Sequence, residues 1–378
     1  MYRKADPSAW HCSDLSHVDL LRHLAKLIVV IFGLTVGFAY LWQVPRELTS
    51  WPAGVDLEIP LRAASNWSHG VGPYPPSAML IQSGPDLPYL YPPYLLPFLT
   101  PITALPRGIA IALWLTGCGA AAVWTCRRLG VRWLLIPFVL AWPPFVEGLV
   151  TGNVQIFAFA AFVALLYEPP GIARSRPIKS ERAIRDGLLS ALIGALKVVQ
   201  LLPIVFVVRR SPRTGLVAIL LLAAIAIATL PLTGLAIYAD WLAQLQRASN
   251  PYWGPGGTSI GRFLGLPDPL FVVIGLAVAF FARGRNAAAW LGLAMIAVNP
   301  SVHLYTYLFL LPGLLSIRRE FAIAIGVLFL GPYPDGWWLA TAAIAVLLIA
   351  SRRRQGDDPP SRLPEDSRGI GLMARSSP

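Results

Sequence analysis

The chain has 378 residues, of which 56% are hydrophobic and only 13% charged, with a mean hydropathy of +0.60. A soluble domain carries about 25% charged residues, so this balance excludes one and points to an all-α integral membrane protein. The net charge of +12 would suit nucleic acid, but the arginines stand in short clusters between apolar runs, as orientation signals do, and that partner is rejected.

Residues 1–25 read as a cytoplasmic tail, in which His11, Cys12, His17 and His23 lack zinc-site spacing. The first apolar run, residues 26–44, follows Arg3, Lys4, Arg22 and Lys26, which hold its start inside. No small-residue cleavage site follows it, so an uncleaved span is expected. A polar, proline-rich first outer loop, residues 45–105, then places Asp56 and Glu58 just beyond the membrane. Asp56 has a purely structural reading as N-cap of a short helix over LEIPLRAASNWS, with Pro60 in its first turn, Glu58 complementing the dipole and Gly70 ending it. The stretch PYLLPFLTPITALP is too short and proline-rich to cross and is expected to lie along the interface.

Spans are expected over residues 107–126, ending inside at Arg127, Arg128 and Arg132, then over 133–149 to the outer turn TGNVQ, and over 156–167 to a loop rich in Arg. The next run, GLLSALIGALKVVQLLPIVFVV, has basic flanks at both ends, which predicts a hairpin of two short helices with its tip at residues 197–200. Residues 216–235 cross to a second outer loop, 237–267. Spans over 271–282, 287–298 and 304–315, then a final pair around GPYPDG, bring the chain to Arg352, Arg353 and Arg354. The pattern predicts about twelve membrane segments, both termini cytoplasmic and a disordered tail over 352–378.

Sorting polar residues by side places Asp56, Glu58, His69, Asp86, Asn153, Gln155, Lys197, Asp240, Arg262, Asn299 and His303 at the outer ends of spans or in outer loops, whereas the inner side carries mainly Arg. An outward-facing site is therefore expected. Lys197 is the only lysine within an apolar run, where an unpaired cation costs ~3 kcal/mol or more. Its structural alternatives are snorkelling or pairing with Glu147. Arg262 can join it in holding an anionic headgroup, or can anchor to lipid phosphate. His303, after the turn NPS, can serve a ligand or cap a helix. Trp253, in the second outer loop, can stack on a sugar. No P-loop or dinucleotide fingerprint is present, and the outer side lacks the His and Cys for a metal site, so no metal or cofactor is expected.

Taken in order, VDLEIPLRAA, the G-x-PY-P and YPP turns, TGNVQ, ALKVVQLLP, GTSIGRFLG and NPSVHLYTYLFLLP resemble the polyprenol-phosphate-dependent mannosyltransferases of glycosyltransferase family 87, within the GT-C class. The resemblance spans residues 26–352. It implies a multi-span GT-C-like helical bundle in the plasma membrane, transferring a hexose, usually mannose, from a polyprenyl-phosphate donor to a glycolipid or lipid-linked glycan on the extracytoplasmic face, with inversion. Asp56 takes the place of the general base, with Glu58 as the alternative two residues on. Lys197, Arg262 and His303 are the candidates for donor-phosphate ligands. His69, Tyr91, Asn153, Gln155, Trp253 and Asn299 are expected as substrate contacts. A competing class, a transporter or flippase for a lipid-linked sugar or anionic lipid, would draw on the same cations.

Overall fold

In the computed structural model, the described residues are 52–76, 87–167, 179–197, 200–248, 259–284, 286–317, 319–329 and 335–357, with Leu24, Leu27 and Ile31. Among them the secondary structure is helical, with no strand. The first expected span, the Trp253 loop and most of the two tails lie outside the described residues.

The stretch expected as the first outer loop holds α1, Val55–Ser68, and a 3-10 turn, Pro93–Leu95, that runs into α2, Leu96–Thr103. Then come α3, Arg107–Arg128, a turn leading into α4, Ile136–Leu140, and α5, Pro143–Thr151. Next are α6, Gln155–Leu166; α7, Lys179–Leu196; α8, Leu202–Arg210; α9, Pro212–Thr233; and α10, Leu235–Ala248. The C-terminal part holds α11, Ile260–Leu264; α12, Asp268–Phe281; and α13, Ala287–Ala297. A 3-10 segment, Leu304–Leu310, continues into α14, Leu311–Ser316, and α15, Arg319–Leu328, and α16, Asp335–Asp357, follow.

The chain is a helical membrane protein. By length and composition α3 and α9 can each cross a bilayer, and Trp133–Leu140 with Pro143–Thr151 makes a third crossing if the bent pair is one span. The other apolar helices have 10–17 residues, about 15–25 Å, short of the ~30 Å hydrocarbon core. The expected span over 133–149 is bent by 75°. Pro143 and Pro144 cause this: neither has an N–H to give, and Pro143 holds Trp142 in extended backbone, so helix restarts rather than continues. At the other end of the chain α16 runs on through Arg352, Arg353 and Arg354 to Asp357, into the stretch expected as disordered tail. Arginine favours helix, and nothing in that stretch stops it before Gly356.

The main core is aromatic. Phe145, Phe159, Phe162 and Phe309 meet edge-on or stacked with centroids 5.0–6.3 Å apart, and Tyr307, Phe329 and Trp337 extend the cluster to α16. A second, smaller cluster joins Ile59, Ala63 and Ala64 of α1 to Tyr74, Tyr89 and Leu96. Ile59 and Ala63 lie four residues apart on one helix face, so this apolar stripe fixes which way α1 presents its remaining residues. The loop is braced at both sides: Tyr94 Oη donates to Ala195 O at 3.0 Å at the end of α7, and Trp241 Nε1 on α10 donates to Leu90 O at 3.0 Å.

Candidate active site

Asp56 sits in the first turn of α1 but does not cap it. The N-cap is Gly54, in left-handed backbone at φ 78°, and Asp56 is two residues further on. The left-handed region is open to glycine at little strain, and a Cβ on Gly54 would stand 2.9 Å from Ile111 of α3. The Gly54 N–H is in turn used in tertiary structure, donating to Val150 O at 2.8 Å near the end of α5. This one bond sets the start of α1 against α5, and with it the position of the carboxylate.

The Asp56 carboxylate receives the side chain of Asn153, whose Nδ2 donates to Oδ2 at 2.8 Å. Asn153 is oriented from its other end, since its Oδ1 accepts the Gln155 backbone N–H at 2.8 Å. The turn carrying it closes α5 through Gly152, left-handed at φ 69°, with its carbonyl accepting Trp114 Nε1 at 2.6 Å. Burial raises the carboxyl of Asp56 above its usual range, while Thr151, Asn153 and Lys197 pull it down. A carboxylate held this way is more basic than one in water.

Lys197 directly follows α7, and its Nζ lies 3.3 Å from Gln155 Oε1 and 4.9 Å from the centre of the Tyr305 ring. Asp56 and Glu147 are both close enough for their charges to act on it. Gln155 is fully buried, and its Oε1 also accepts Gln200 Nε2 at 2.6 Å. The ammonium decides both amide orientations: Gln155 must turn oxygen toward it, so Gln200 must offer its NH2 to that same oxygen. The far ends of the two amides, Gln155 Nε2 and Gln200 Oε1, are left buried without a partner. Each such atom costs about 1–3 kcal/mol, which is spent on holding a cation in place.

Glu147 does not simply neutralise Lys197, because its Oε2 accepts the Tyr305 backbone N–H at 2.8 Å. That bond fixes the first turn of the 3-10 segment Leu304–Leu310. His303 is the N-cap of this segment, its side chain accepting the Thr306 N–H while Thr306 answers with its hydroxyl. The ring stacks on Tyr305 at 5.2 Å and its Nε2 lies 3.3 Å from Ser301 Oγ. Burial, with Lys197 nearby, lowers its pKa to about 3. A ring nitrogen that accepts a backbone N–H cannot carry a proton, so capping and burial agree on a neutral imidazole at physiological pH. Tyr91 is near enough to Asp56 for the carboxylate's charge to raise its phenol further, burial being the larger cause.

Asp56, Asn153, Gln155 and Lys197 thus form one group, which His303 joins through the Tyr305 ring, and Tyr91 lies within reach of the Asp56 charge. The remaining expected residues stand elsewhere or differ in role. Glu58 is ion-paired with Arg107, and two helical residues on from Asp56 means about 200° around α1. His69 is exposed at the far end of α1, about 20 Å along the axis, where its Nδ1 meets Ser65 O at 2.7 Å and closes the helix. Asn299 is buried and its Oδ1 accepts the Ser301 N–H at 3.1 Å, shaping the turn that leads to His303. Arg262 lies on α11, capped by Ser259, whose hydroxyl also donates to Asp268 at 2.6 Å. Trp253 falls outside the described residues. Sequence reasoning passed over Gln200, Thr151 and Tyr305. Gln200 had a signal, being a second polar residue three positions after Lys197 in the same apolar run.

One family model, Glycosyltransferase family 87, matches residues 89–302. The match covers Tyr91, Asn153, Gln155, Lys197 and Gln200, and lies between Asp56 on one side and His303 on the other. No curated protein and no solved structure is significantly similar to the chain.

Proposed function

The chain belongs to glycosyltransferase family 87, and from that premise we propose that it moves a hexose, mannose first among them, from a polyprenyl-phosphate donor to a hydroxyl of a glycolipid or lipid-linked glycan. The reaction takes place on the extracytoplasmic face of the plasma membrane. The chain crosses that membrane many times, in about twelve segments including short and paired ones, and both termini are cytoplasmic. Asp56 is the general base.

The observation that carries the reading is a desolvated carboxylate and a lysine ammonium in one polar cluster, each oriented by a side-chain amide. Asp56 removes the proton of the acceptor hydroxyl as that oxygen bonds to the anomeric carbon. The bond from that carbon to the lipid phosphate breaks on the opposite face, which inverts the configuration. The departing phosphate carries the charge, and Lys197 stabilises it as it develops, with the neutral His303 ring beside it as a hydrogen-bonding group. Glu58 is the weaker choice of base because its carboxylate is already committed to Arg107. Arg262 is a donor-phosphate ligand only if the second outer loop brings it to the lipid, and Trp253 of that loop is placed against the sugar on the same condition.

The test is transfer of labelled mannose from polyprenyl-phosphate-mannose in membranes containing the wild-type chain, Asp56→Asn or Glu58→Gln. A lipid product made by wild type and Glu58→Gln but not by Asp56→Asn is expected. Full activity in Asp56→Asn overturns the assignment of the base, and absence of any product across a panel of lipid-phosphate sugars overturns the reaction.

A further inference from the structure

Tyr305 and Tyr307 lie two residues apart in the 3-10 segment Leu304–Leu310, yet their rings have different surroundings. Two residues of a 3-10 helix turn by about 240°, so the rings leave the segment on different faces. Tyr307 packs on Phe329, Trp337 and Trp338 of the aromatic core, with centroids 5.0–6.1 Å apart. Tyr305 meets polar groups instead. Lys197 Nζ stands over its ring, 4.9 Å from the centre, and the His303 ring stacks on it at 5.2 Å and 16°. Its hydroxyl meets the side chain of Asn153, the group that orients Asp56, and the charges of Asp56 and Glu147 reach it. Its backbone is held by Glu147 Oε2, which accepts its N–H at 2.8 Å, and lies close to α5, where a Cβ on Gly148 would stand 3.4 Å from Tyr305 Cβ. The turn after α5, the residue after α7 and the 3-10 segment thus converge on one ring.

An ammonium on a flexible four-carbon stem is not fixed by a single contact, here Gln155 Oε1 at 3.3 Å. A carboxylate in the ring's place would hold it and also cancel its charge. The face of a phenol attracts the cation through the ring quadrupole and leaves the charge available to a second anion. We propose that Tyr305 is a positioning residue for transfer: its ring holds the Lys197 ammonium beside Gln155, and its hydroxyl steadies the Asn153 amide that orients Asp56. One rigid side chain then sets the spacing between the proton acceptor and the cation that meets the phosphate. The proposal rests on the transferase reading, because this spacing matters only if a proton leaves at one end while phosphate charge develops at the other.

The experiment pairs a spectrum with turnover. Lys4, Lys26, Lys179 and Lys197 are the lysines of the chain, so the purified full chain in detergent, grown on lysine isotopically labelled at Cε, gives few NMR signals. A ring face this close moves the Lys197 ε-proton signal upfield of the others, and Lys197→Arg assigns it. The same samples are assayed for sugar transfer from a panel of lipid-phosphate donors. Tyr305→Phe keeps the ring and should keep the shifted signal, with turnover down about threefold for one lost hydrogen bond. Tyr305→Met keeps apolar volume without a ring, and should return the signal to the position of the other lysines and lower turnover about tenfold more. Tyr307→Phe, the same hydroxyl deletion on the other face, should change neither. An unshifted Lys197 signal in active wild type, a shift that survives Tyr305→Met, or equal turnover in Tyr305→Met and Tyr305→Phe overturns the proposal. An equal loss of turnover in Tyr307→Phe does so too. No transfer by wild type from any donor overturns the transferase reading instead, and with it the role given to the spacing. Should Tyr305→Met not fold, the wild-type spectrum and the contrast between Tyr305→Phe and Tyr307→Phe still decide.

Discussion

Gln155 and Gln200 look interchangeable, one buried amide facing another, yet their replacement by leucine should have opposite effects on stability. In Gln200→Leu the 2.6 Å bond to Gln155 Oε1 is lost, about 0.5–1.5 kcal/mol, but the orphaned Gln200 Oε1 disappears with it, returning about 1–3 kcal/mol. The net is between neutral and stabilising. In Gln155→Leu the Gln200 NH2 loses its acceptor and the Lys197 ammonium loses the oxygen beside it, while only the Gln155 Nε2 orphan is relieved. Stranding a partly buried cation costs about 2–4 kcal/mol. Transfer activity should fall in both variants, because Gln200 fixes the amide that positions Lys197 and a misplaced cation forfeits charge stabilisation in the transition state. The two variants are to be compared with wild type by thermal unfolding in detergent and by transfer of labelled sugar. Equal destabilisation of both, or Gln200→Leu with unchanged turnover, refutes the idea that Lys197 dictates the amide pair.

Other expectations follow from the same geometry. Transfer should require ionised Asp56, so activity should fall as pH drops through a value above the ordinary carboxyl pKa of ~3.9, and a pH–rate profile with its acid limb at or below that value contradicts the burial effect. The sign for stability is reversed: a carboxyl whose pKa is raised on folding disfavours the folded state once ionised, so Asp56→Asn should unfold no more easily than wild type near neutral pH. Gly54→Ala adds a Cβ in left-handed backbone and against Ile111, a loss of about 1–3 kcal/mol, and Ile111→Ala in the same chain should restore the part owed to the clash, measured as a double-mutant cycle. Glu147→Gln keeps an acceptor for the Tyr305 N–H and should be folded and partly active, whereas Glu147→Leu leaves that buried N–H unpaired and should lose about 1–3 kcal/mol in thermal unfolding.

Much of the polar cluster around Asp56 could be read from the sequence because polar side chains inside apolar runs are costly and therefore conspicuous. Lys197 announced itself in this way, and so did Asn153 and Gln155 in the turn between two apolar segments. The end of α7 at Leu196 and the restart of helix at Leu202 were legible too, from arginines at both ends of one hydrophobic run. What sequence could not give was rotation about a helix axis. Asp56 and Glu58 are two residues apart and chemically alike, and only the packing of Ile59 and Ala63 on Leu96 and the tyrosines sends one inward and the other to Arg107. The capping role expected of Asp56 failed for a related reason: the start of α1 is set by Gly54 bonding to Val150, a tertiary contact that no local pattern contains. The apolar run over 133–149 concealed its bend, because hydropathy is blind to direction, although Trp142-Pro143-Pro144 carries the instruction to turn.

The bond between Asn153 and Asp56 joins residues 97 positions apart. At 5–20 residues per second, the ribosome releases Asp56 about 5–20 s before the asparagine that will orient it, and Lys197 is later still. During that interval the carboxylate has none of the partners that later orient it. On the proposed mechanism the base is therefore made first and armed last, so a chain caught partway through biogenesis already carries its acid but has no means of using it.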